Sequence, residues 1–216
     1  RMNYITSFGF SERWRSQCVE AAQIQKGQTV VDLMCGMGEC WKPILKKAGK
    51  TSRLVGLDIS TGMLKHAAKV KAKRADSRIE ILHENIFENT LSDGFADVVI
   101  SGFGLKTFNQ NQIEKLALEI RRILKPGGKF SLIDVSLPKH ILLRMPYMFY
   151  LKNIIPILGR LFLGAPETYK MLGIYTERFG NARMVCDVFS QTGFEVKYQE
   201  YFFGCASGIV GQKVRD

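Results

Sequence analysis

Apolar positions along this chain follow two alternating spacings. Short apolar runs bounded by glycine or polar turns are typical of buried strands, whereas apolar residues three and four apart are typical of amphipathic helices. The short runs predict strands at 30–34, 53–59, 78–83, 96–101, 129–135, 193–198 and 204–210. The helical spacing predicts helices at 11–24, 43–50, 61–75 and 110–124. Strands that alternate with helices in this way indicate an α/β fold with a parallel sheet.

The last two predicted strands differ from the first five because only a short connection joins them. Parallel pairing needs a crossover, so 193–198 and 204–210 should pair antiparallel at the edge of the sheet. Ser11 and Ser60 are the expected N-caps of two helices. A ligand in a doubly wound sheet lies over the carboxyl ends of the strands where their order reverses. We expect the helix at 11–24 to pack on the sheet edge beside that ligand.

The first predicted strand runs into a Gly-x-Gly turn formed by Gly36 and Gly38, and a helix follows. Such a turn presents backbone N–H groups and the positive end of a helix to a ligand. The next strand ends at Asp58, where a carboxylate can hold the hydroxyls of a ribose. A dinucleotide-binding turn has a third glycine or alanine, but Trp41 stands at that position. The pattern favours a nucleoside ligand without a pyrophosphate, and glycines that merely make a tight turn are the alternative.

Two segments resemble the class I S-adenosylmethionine-dependent methyltransferases. Residues 32–38 match their motif I, and residues 124–129 match the turn into their fifth strand. Along nearly its whole length the chain resembles, more narrowly, the ubiquinone/menaquinone-biosynthesis C-methyltransferases. The positions that carry this resemblance are 7–9 with Trp14, 101–105, Pro156, Gly159, Tyr169 and Leu172. The resemblance implies S-adenosylmethionine as the cofactor and one methyltransferase domain over residues 1–216.

The resemblance also implies a fold and a set of cofactor-binding residues. The fold is a Rossmann-like, doubly wound α/β sheet of seven strands in the order 3-2-1-4-5-7-6, with the last strand antiparallel. Gly36 and Gly38 should hold the methionine arm, Asp58 the ribose and Asn85 the adenine. The whole expected set is Asp32, Gly36, Gly38, Asp58, Ile59, Met63, Asn85, Ile86 and Ser101. Core packing is the alternative role for Met63, since methionine at helical spacing usually packs in a core.

On the acceptor side the chain departs from the family. The expected substrate-binding residues are Phe103, Lys106, Tyr150 and Tyr169. Lys106 and Thr107 stand where the family usually has Arg-Asn, while Tyr175 and Ile209 replace a serine and a histidine. His140 is the candidate general base because it follows the fifth strand. Methyl transfer needs positioning and exclusion of water more than a protein nucleophile.

Residues 137–180 form an insert between the fifth strand and the last two. From 141 to 163 the segment is apolar, and only Arg144, Lys152 and Arg160 are charged. Two prolines and these cations break any apolar run of about 20 residues, so the segment is not expected to span a membrane. Two interpretations stay open: a helical lid whose apolar inner face covers the acceptor, and a surface helix that lies on a membrane.

The cysteine content and the net charge indicate which cellular location and which partners to expect. The five cysteines show no Cys-x-x-Cys or zinc-type spacing, so we expect reduced thiols, no metal and a cytoplasmic location. The net charge of +11 is concentrated in residues 1–74, which hold 14 Lys/Arg against 5 Asp/Glu. This imbalance favours an anionic partner such as a membrane surface, and a solvated helix face is the alternative.

The function indicated is S-adenosylmethionine-dependent methylation of a small apolar acceptor, such as a prenylated quinone precursor. A phospholipid N-methyltransferase of the phosphatidylethanolamine type is the alternative, because the basic charge and the apolar insert also suit it. RNA methylation is disfavoured, since residues 101–104 read Ser-Gly-Phe-Gly where base-methylating enzymes carry Asn/Asp-Pro-Pro-Tyr/Phe. We expect no nucleic-acid partner and a cytoplasmic enzyme that can be peripheral on the membrane. The sequence leaves the oligomeric state open.

Overall fold

The computed structural model describes residues 9–158 and 166–214, and for residues 166–170 it describes the backbone alone. Within these residues, seven strands form one sheet in the order β3-β2-β1-β4-β5-β7-β6. They are β1 (Thr29–Leu33), β2 (Arg53–Asp58), β3 (Ile79–His83), β4 (Ala96–Gly102), β5 (Leu124–Val135), β6 (Phe194–Tyr201) and β7 (Ala206–Lys213). β1 to β5 run parallel, and β7 is antiparallel to both β5 and β6. The predicted strand order and the antiparallel edge pair are confirmed.

Helices cover both faces of this sheet. They are α1 (Phe10–Ala21), α2 (Trp41–Ala48), α3 (Thr61–Arg74), α4 (Gln110–Ile123), α5 (Ile141–Phe149), α6 (Pro166–Phe179) and α7 (Arg183–Gln191). One core cluster packs α4 and α7 against one face, and a second packs α1, α2 and α3 against the other. The insert contributes α5, a π-helical turn (Tyr150–Ile154) and α6. The apolar pattern did not predict α7.

Helix starts follow from local hydrogen bonding. The Ser60 side chain accepts the Met63 N–H at 3.3 Å, which confirms the predicted N-cap of α3. Ser11 is not a cap, because α1 begins one residue earlier, after Gly9 in the left-handed region at φ 76°. Asn109 opens α4 with a capping box that the sequence analysis missed.

Two predicted positions are wrong. β5 begins at Leu124 rather than 129, because Leu124 already pairs with Ala96 and a register shift accommodates the Pro-Gly-Gly segment. α1 lies across the sheet face rather than at its edge. The Cys18 thiol is 3.2 Å from the Ser131 hydroxyl on β5 and 3.8 Å from the Ser101 carbonyl on β4. This position brings α1 directly to the carboxyl end of β4.

Candidate active site

The turn between β1 and α2 is built around the Trp41 side chain. A Cβ atom on Gly38 would lie 2.6 Å from the indole, and a Cβ atom on Gly56 would lie equally close to its other end. Gly38 also has φ 81°, in the left-handed region that favours glycine. Since Trp41 is fully buried, the indole occupies the helix–strand contact that a third glycine keeps close in dinucleotide-binding folds.

The Asp58 carboxylate joins the ends of β1 and β2. Its Oδ2 accepts the Gly36 N–H at 2.8 Å, and its Oδ1 accepts the Ser60 N–H at 2.8 Å. A carboxylate has about four acceptor sites, so each oxygen retains capacity for a hydroxyl donor. The turn and the acid therefore meet at the carboxyl ends of two neighbouring strands, where a ribose can be held between them.

Asp32 places a carboxyl group in a cavity of about 200 Å³ beside this turn. The side chain is buried, and neither oxygen has a hydrogen-bond partner among the described residues. Burial, and then the nearby Glu39 carboxylate, raise the pKa of Asp32 well above its ordinary value. The Arg15 guanidinium, and then Trp41, lower this pKa, although the Trp41 N–H does not reach hydrogen-bonding geometry. A buried carboxyl group without a partner fits a cationic ligand group such as an ammonium.

Of the other predicted cofactor residues, one lines the smaller cavity and four do not. Met63 lines the smaller cavity and is exposed, so its side chain is available to a ligand. Ile59 is exposed but does not line that cavity. The Asn85 amide oxygen accepts a backbone N–H within its own loop, and Ile86 and Ser101 are buried without lining the cavity. Adenine and ribose contacts by these four residues stay predictions.

A second, larger cavity of about 400 Å³ adjoins the first. The insert provides one wall, α1 a second, and the loops after β4 and β6 the remainder. Its lining is almost entirely apolar and includes Phe10, Trp14, Val135, Leu143, Pro146, Leu151, Ile155, Leu172 and Phe202. Such a cavity suits an apolar ring or a prenyl chain rather than a charged head group.

Phe103 and Arg15 line both cavities. Phe103 has φ 76°, a strained backbone for a bulky residue, and its N–H donates to the Ile133 carbonyl at 2.9 Å. The Arg15 guanidinium carbon lies 4.7 Å from the centre of the Phe103 ring, and Arg15 is only 9% exposed. The Phe103 and Arg15 side chains form the partition between the cavities. Arg15 adds a buried positive charge to this partition. Sequence analysis missed Arg15, although a cation among the inward residues of α1 was a usable signal.

A buried ion pair lies next to this partition. The Lys106 ammonium donates to Asp134 Oδ1 at 2.8 Å, while Asp134 Oδ2 accepts the backbone N–H groups of Gly104 and Lys106. Asp134 is fully buried. The Lys106 ammonium also lies 5.8 Å from the Phe103 ring centre, so two cations lie near this ring. Lys106 lines the larger cavity, as predicted for a substrate-side residue.

Two tyrosines of the insert line the larger cavity. Tyr150 was predicted as a substrate-binding residue, and it lines this cavity. Burial raises the pKa of its hydroxyl. Tyr147 was not predicted. Its hydroxyl donates to the Cys205 carbonyl at 3.0 Å, which ties the insert to the connection between β6 and β7. Tyr169 lies in α6, but its side chain is outside the described residues, as are residues 7 and 8 and Gly159.

Comparison with known proteins identifies the family. A sequence profile of the ubiE/COQ5 methyltransferase family matches residues 1–213. The chain belongs to this family. Among curated relatives, the demethylmenaquinone methyltransferase of Oceanobacillus iheyensis is 34% identical over 214 residues, 98% of this chain and 89% of the relative. That of Bacillus subtilis is 30% identical, covering 99% of this chain and 91% of the relative. This ubiE/COQ5 enzyme is therefore a methyltransferase that uses S-adenosylmethionine.

Solved structures agree with this family on the fold. A S-adenosylmethionine-dependent methyltransferase from Aquifex aeolicus superposes with a TM-score of 0.68 at 17% identity, covering 93% of this chain and 89% of the other. One from Methanosarcina mazei gives a TM-score of 0.62 at 18% identity, covering 90% and 96%. At these identities the likeness establishes the methyltransferase fold alone.

The structure gives His140 no place in either cavity of this ubiE/COQ5 enzyme. His140 is exposed at the start of α5, where its carbonyl accepts the N–H groups of Leu143 and Arg144. Its predicted role as general base gains no support from this position. Ile209, which replaces a family histidine, is fully buried in the core.

The cysteines of this ubiE/COQ5 enzyme are suited to packing rather than to chemistry. All five are free, and burial raises the pKa of Cys18 to about 12 and that of Cys205 to about 11. Thiols with such pKa values are poor nucleophiles. Within the part of the chain that the structure describes, no cluster of three or more His, Cys, Asp or Glu could hold a metal ion.

Proposed function

We propose that this ubiE/COQ5 enzyme methylates a ring carbon of a prenylated quinone precursor in its reduced, hydroxyl-bearing form. One observation carries the proposal: an apolar cavity of about 400 Å³ meets the cofactor cavity at a partition made by Phe103 and Arg15. The relatives at 30–34% identity are demethylmenaquinone methyltransferases, whose name supplies an acceptor of this class.

The residues of the smaller cavity, together with Asp58, which accepts the Gly36 N–H beside it, fit S-adenosylmethionine. The methionine arm carries an ammonium that the buried Asp32 carboxylate can neutralise, and the ribose carries two hydroxyls that Asp58 can accept. The unpartnered state of Asp32 is the structural observation that supports this fit. When bound, S-adenosylmethionine supplies an electrophilic methyl group on a sulfonium. Gly36 lines the smaller cavity, where the arm would lie, while Trp41 occupies the helix–strand contact that a dinucleotide-binding turn leaves to a glycine.

The larger cavity positions the acceptor and favours its reactive form. The walls bury an apolar ring and prenyl chain, and they exclude water. Two cations line this cavity: Lys106, which is paired with Asp134 at 2.8 Å, and Arg15, whose pair with Glu39 is long at 3.5 Å. A ring hydroxyl beside Arg15 loses its proton more readily, and the anion raises electron density on the neighbouring ring carbon. Positioning alone is worth on the order of 7–11 kcal/mol, so a protein nucleophile is unnecessary.

The insert acts as a lid in this proposal. Leu143, Tyr147, Tyr150 and Leu151 face the larger cavity from one side, and Tyr147 is anchored to Cys205. We place the enzyme in the cytoplasm, where its acceptor is reached from the inner face of the membrane.

A labelled-methyl assay tests the proposal. The purified enzyme, S-adenosylmethionine with a labelled methyl group, and a cell extract are incubated and then separated into lipid, small-molecule and RNA fractions. We expect label in the lipid fraction that stays with the quinone after head groups are hydrolysed. Label released with an amine head group would establish phospholipid methylation instead, and label in RNA would overturn the proposal. Neither alternative has support among the relatives.

The chemistry of the product decides between carbon and oxygen methylation. The probe is the dithionite-reduced form of a 1,4-naphthoquinone with a short prenyl chain and a free ring position. We expect a product that reoxidises to a quinone carrying the extra methyl. A methyl ether, which blocks reoxidation to the quinone, would contradict carbon transfer.

A further inference from the structure

The outward side of the insert exposes a continuous set of large apolar side chains. We name as the outer row the residues Ile141, Leu142, Met145, Phe149, Ile154 and Ile157. Leu142 is 83% exposed, Met145 68% and Phe149 60%, and the other three are also exposed. The opposite side of the same helical segment lines the larger cavity. The segment is therefore apolar on both sides, although among the described residues only its inner side has a protein surface to pack against.

The π-helical turn keeps the outer row on one face. The Ile155 N–H donates to the Tyr150 carbonyl, five residues back, which adds one residue to that turn. With a regular helical turn, Ile154 and Ile157 would rotate away from Met145 and Phe149. The Asn153 side chain donates to the Phe149 carbonyl at 3.1 Å, within the same segment.

The loop after β6 adds two aromatic side chains beside the cavity. Phe202 and Phe203 both have left-handed backbones, at φ 43° and 54°, and Phe203 is 76% exposed. Two consecutive bulky residues in this region are strained, which favours a functional reason for the geometry. Phe202 also lines the larger cavity and packs against Phe10, with ring centres 4.4 Å apart and ring planes tilted by 45°. This aromatic loop, Phe202–Phe203, therefore connects the cavity to the exposed surface.

The charge around this surface identifies what covers it. Four basic side chains of the described part of the insert are exposed: Lys139, Arg144, Lys152 and Arg178. Lys139 and Lys152 are paired with Glu200 and Glu177, and Arg144 lies between Leu142 and Met145 in α5. A second copy docked through the same face would bring like charges together, whereas an anionic bilayer attracts them. Basic side chains beside exposed leucine, isoleucine and phenylalanine are typical of helices that lie in the membrane interface.

The segment is suited to lie on a bilayer rather than to cross it. By length and composition, Ile141–Leu158 could span a membrane, with a mean hydropathy of 1.2 over 18 residues. Its inner side is part of the protein, however, since Leu151 and Ile155 are buried against the larger cavity. The Lys152 ammonium also bonds Glu177 of α6 at 2.7 Å, which holds the segment to the enzyme.

We propose that the outer row and the aromatic loop dock this enzyme on an anionic bilayer, with the larger cavity opening toward the lipid. The apolar acceptor then passes from the bilayer into the cavity beside Phe202 without crossing water. The identity of that acceptor rests on the proposed function, whereas the docking itself does not. The outer row would lie about 5–10 Å into the boundary between head groups and acyl chains.

Vesicle sedimentation tests the docking. The full chain is mixed with vesicles of phosphatidylcholine and phosphatidylglycerol, and with vesicles of phosphatidylcholine alone. We expect binding to the anionic vesicles, at least tenfold stronger than to the neutral ones. The variant Leu142→Ser/Phe203→Ser should bind about tenfold more weakly, because two exposed apolar anchors are lost. Leu118→Ser, which changes an exposed leucine of α4, is the matched control and should bind as the wild type does.

Three outcomes would overturn the docking. They are wild-type protein that stays in the supernatant, a double variant that binds as tightly as the wild type, and a dimer in light scattering that the double variant dissociates. Methyl transfer to a water-soluble short-chain acceptor, measured without vesicles, separates the two proposals. We expect the double variant to retain it, since neither residue lines the cavity. Wild-type protein that binds vesicles but transfers no methyl would refute the proposed function and leave the docking intact.

Discussion

The two cavities of this enzyme are assembled in different ways. The smaller one takes most of its lining from one continuous stretch, residues 32–40, and Arg15, Met63, Gly102 and Phe103 complete it. The larger one gathers side chains from α1, the loop after β4, the insert, α6 and the loop after β6. The cofactor side is therefore a local structure, while the acceptor side exists only after distant segments have packed.

This difference shows where the enzyme can change without losing its methyl donor. Substitutions in the insert or in the aromatic loop reshape the larger cavity while the turn at Gly36 and Gly38 keeps its hydrogen bonds. The departures from the family, at Lys106, Thr107 and Tyr175, all lie after β4. The partition is the exception, because Phe103 and Arg15 belong to both cavities.

The largest expected effect comes from Asp58→Ala. The change removes the acceptors of the Gly36 and Ser60 N–H groups and the proposed ribose contact, so S-adenosylhomocysteine binding should fall below detection. Isothermal calorimetry measures the affinity, and a thermal melt checks that the variant is folded. Asp187→Ala, an exposed carboxylate on α7, should leave the affinity unchanged. Unaltered affinity in Asp58→Ala would reject the ribose role.

The next effect concerns stability on the acceptor side. Lys106→Met leaves the buried Asp134 carboxylate without its cation, which should lower the free energy of unfolding by about 3–5 kcal/mol. Lys125→Met is the matched control, because its pair with Asp97 is partly exposed and should contribute roughly 1 kcal/mol or less. Urea denaturation measures both variants. An equal loss in the two would show that burial does not distinguish these pairs.

A smaller effect should separate the two cavities kinetically. Leu143→Trp fills part of the larger cavity, so the KM for the acceptor should rise about tenfold, roughly 1.4 kcal/mol of lost binding. The affinity for S-adenosylhomocysteine should stay unchanged, because Leu143 does not line the smaller cavity. Leu118→Trp, at an exposed position of α4, should alter neither value. Weakened cofactor binding in Leu143→Trp would mean that the cavities are not independent.

The smallest effect is a gain in stability from Asp32→Asn. The pKa of Asp32 is raised in the folded protein, so the folded state retains a proton that the unfolded chain releases. The ligand-free enzyme therefore loses stability as the pH rises above about 3.8, the ordinary pKa of the group. At neutral pH the neutral amide should raise Tm by a few degrees, on the order of 1 kcal/mol, and weaken S-adenosylhomocysteine binding. A lower Tm together with unchanged binding would contradict this role.

Sequence reasoning succeeded where the structure is local. The Ser60 cap and the antiparallel pairing of the last two strands depend on neighbouring residues or on a short connection, and the sequence shows these directly. The strand order was implied by the resemblance to the methyltransferases. It failed where tertiary packing decides. The contacts of Arg15 depend on how α1 packs across β4 and β5, which the pattern of one helix does not give. The role of Tyr147 depends likewise on the distant Cys205 carbonyl. Adjacent residues in the insert point in opposite directions, which the uninterrupted apolar pattern could not reveal.

Trp41 restricts the evolutionary routes open to this fold. Its indole lies against both Gly38 and Gly56, and a side chain at either glycine would collide with it. Replacing Trp41 by the glycine of a dinucleotide-binding turn would leave a void under the sheet, at a loss of about 3–5 kcal/mol or more. That loss is comparable to the whole stability of a marginal domain. A change of cofactor class would require several coordinated substitutions, so this scaffold can diversify its acceptors far more readily than its methyl donor.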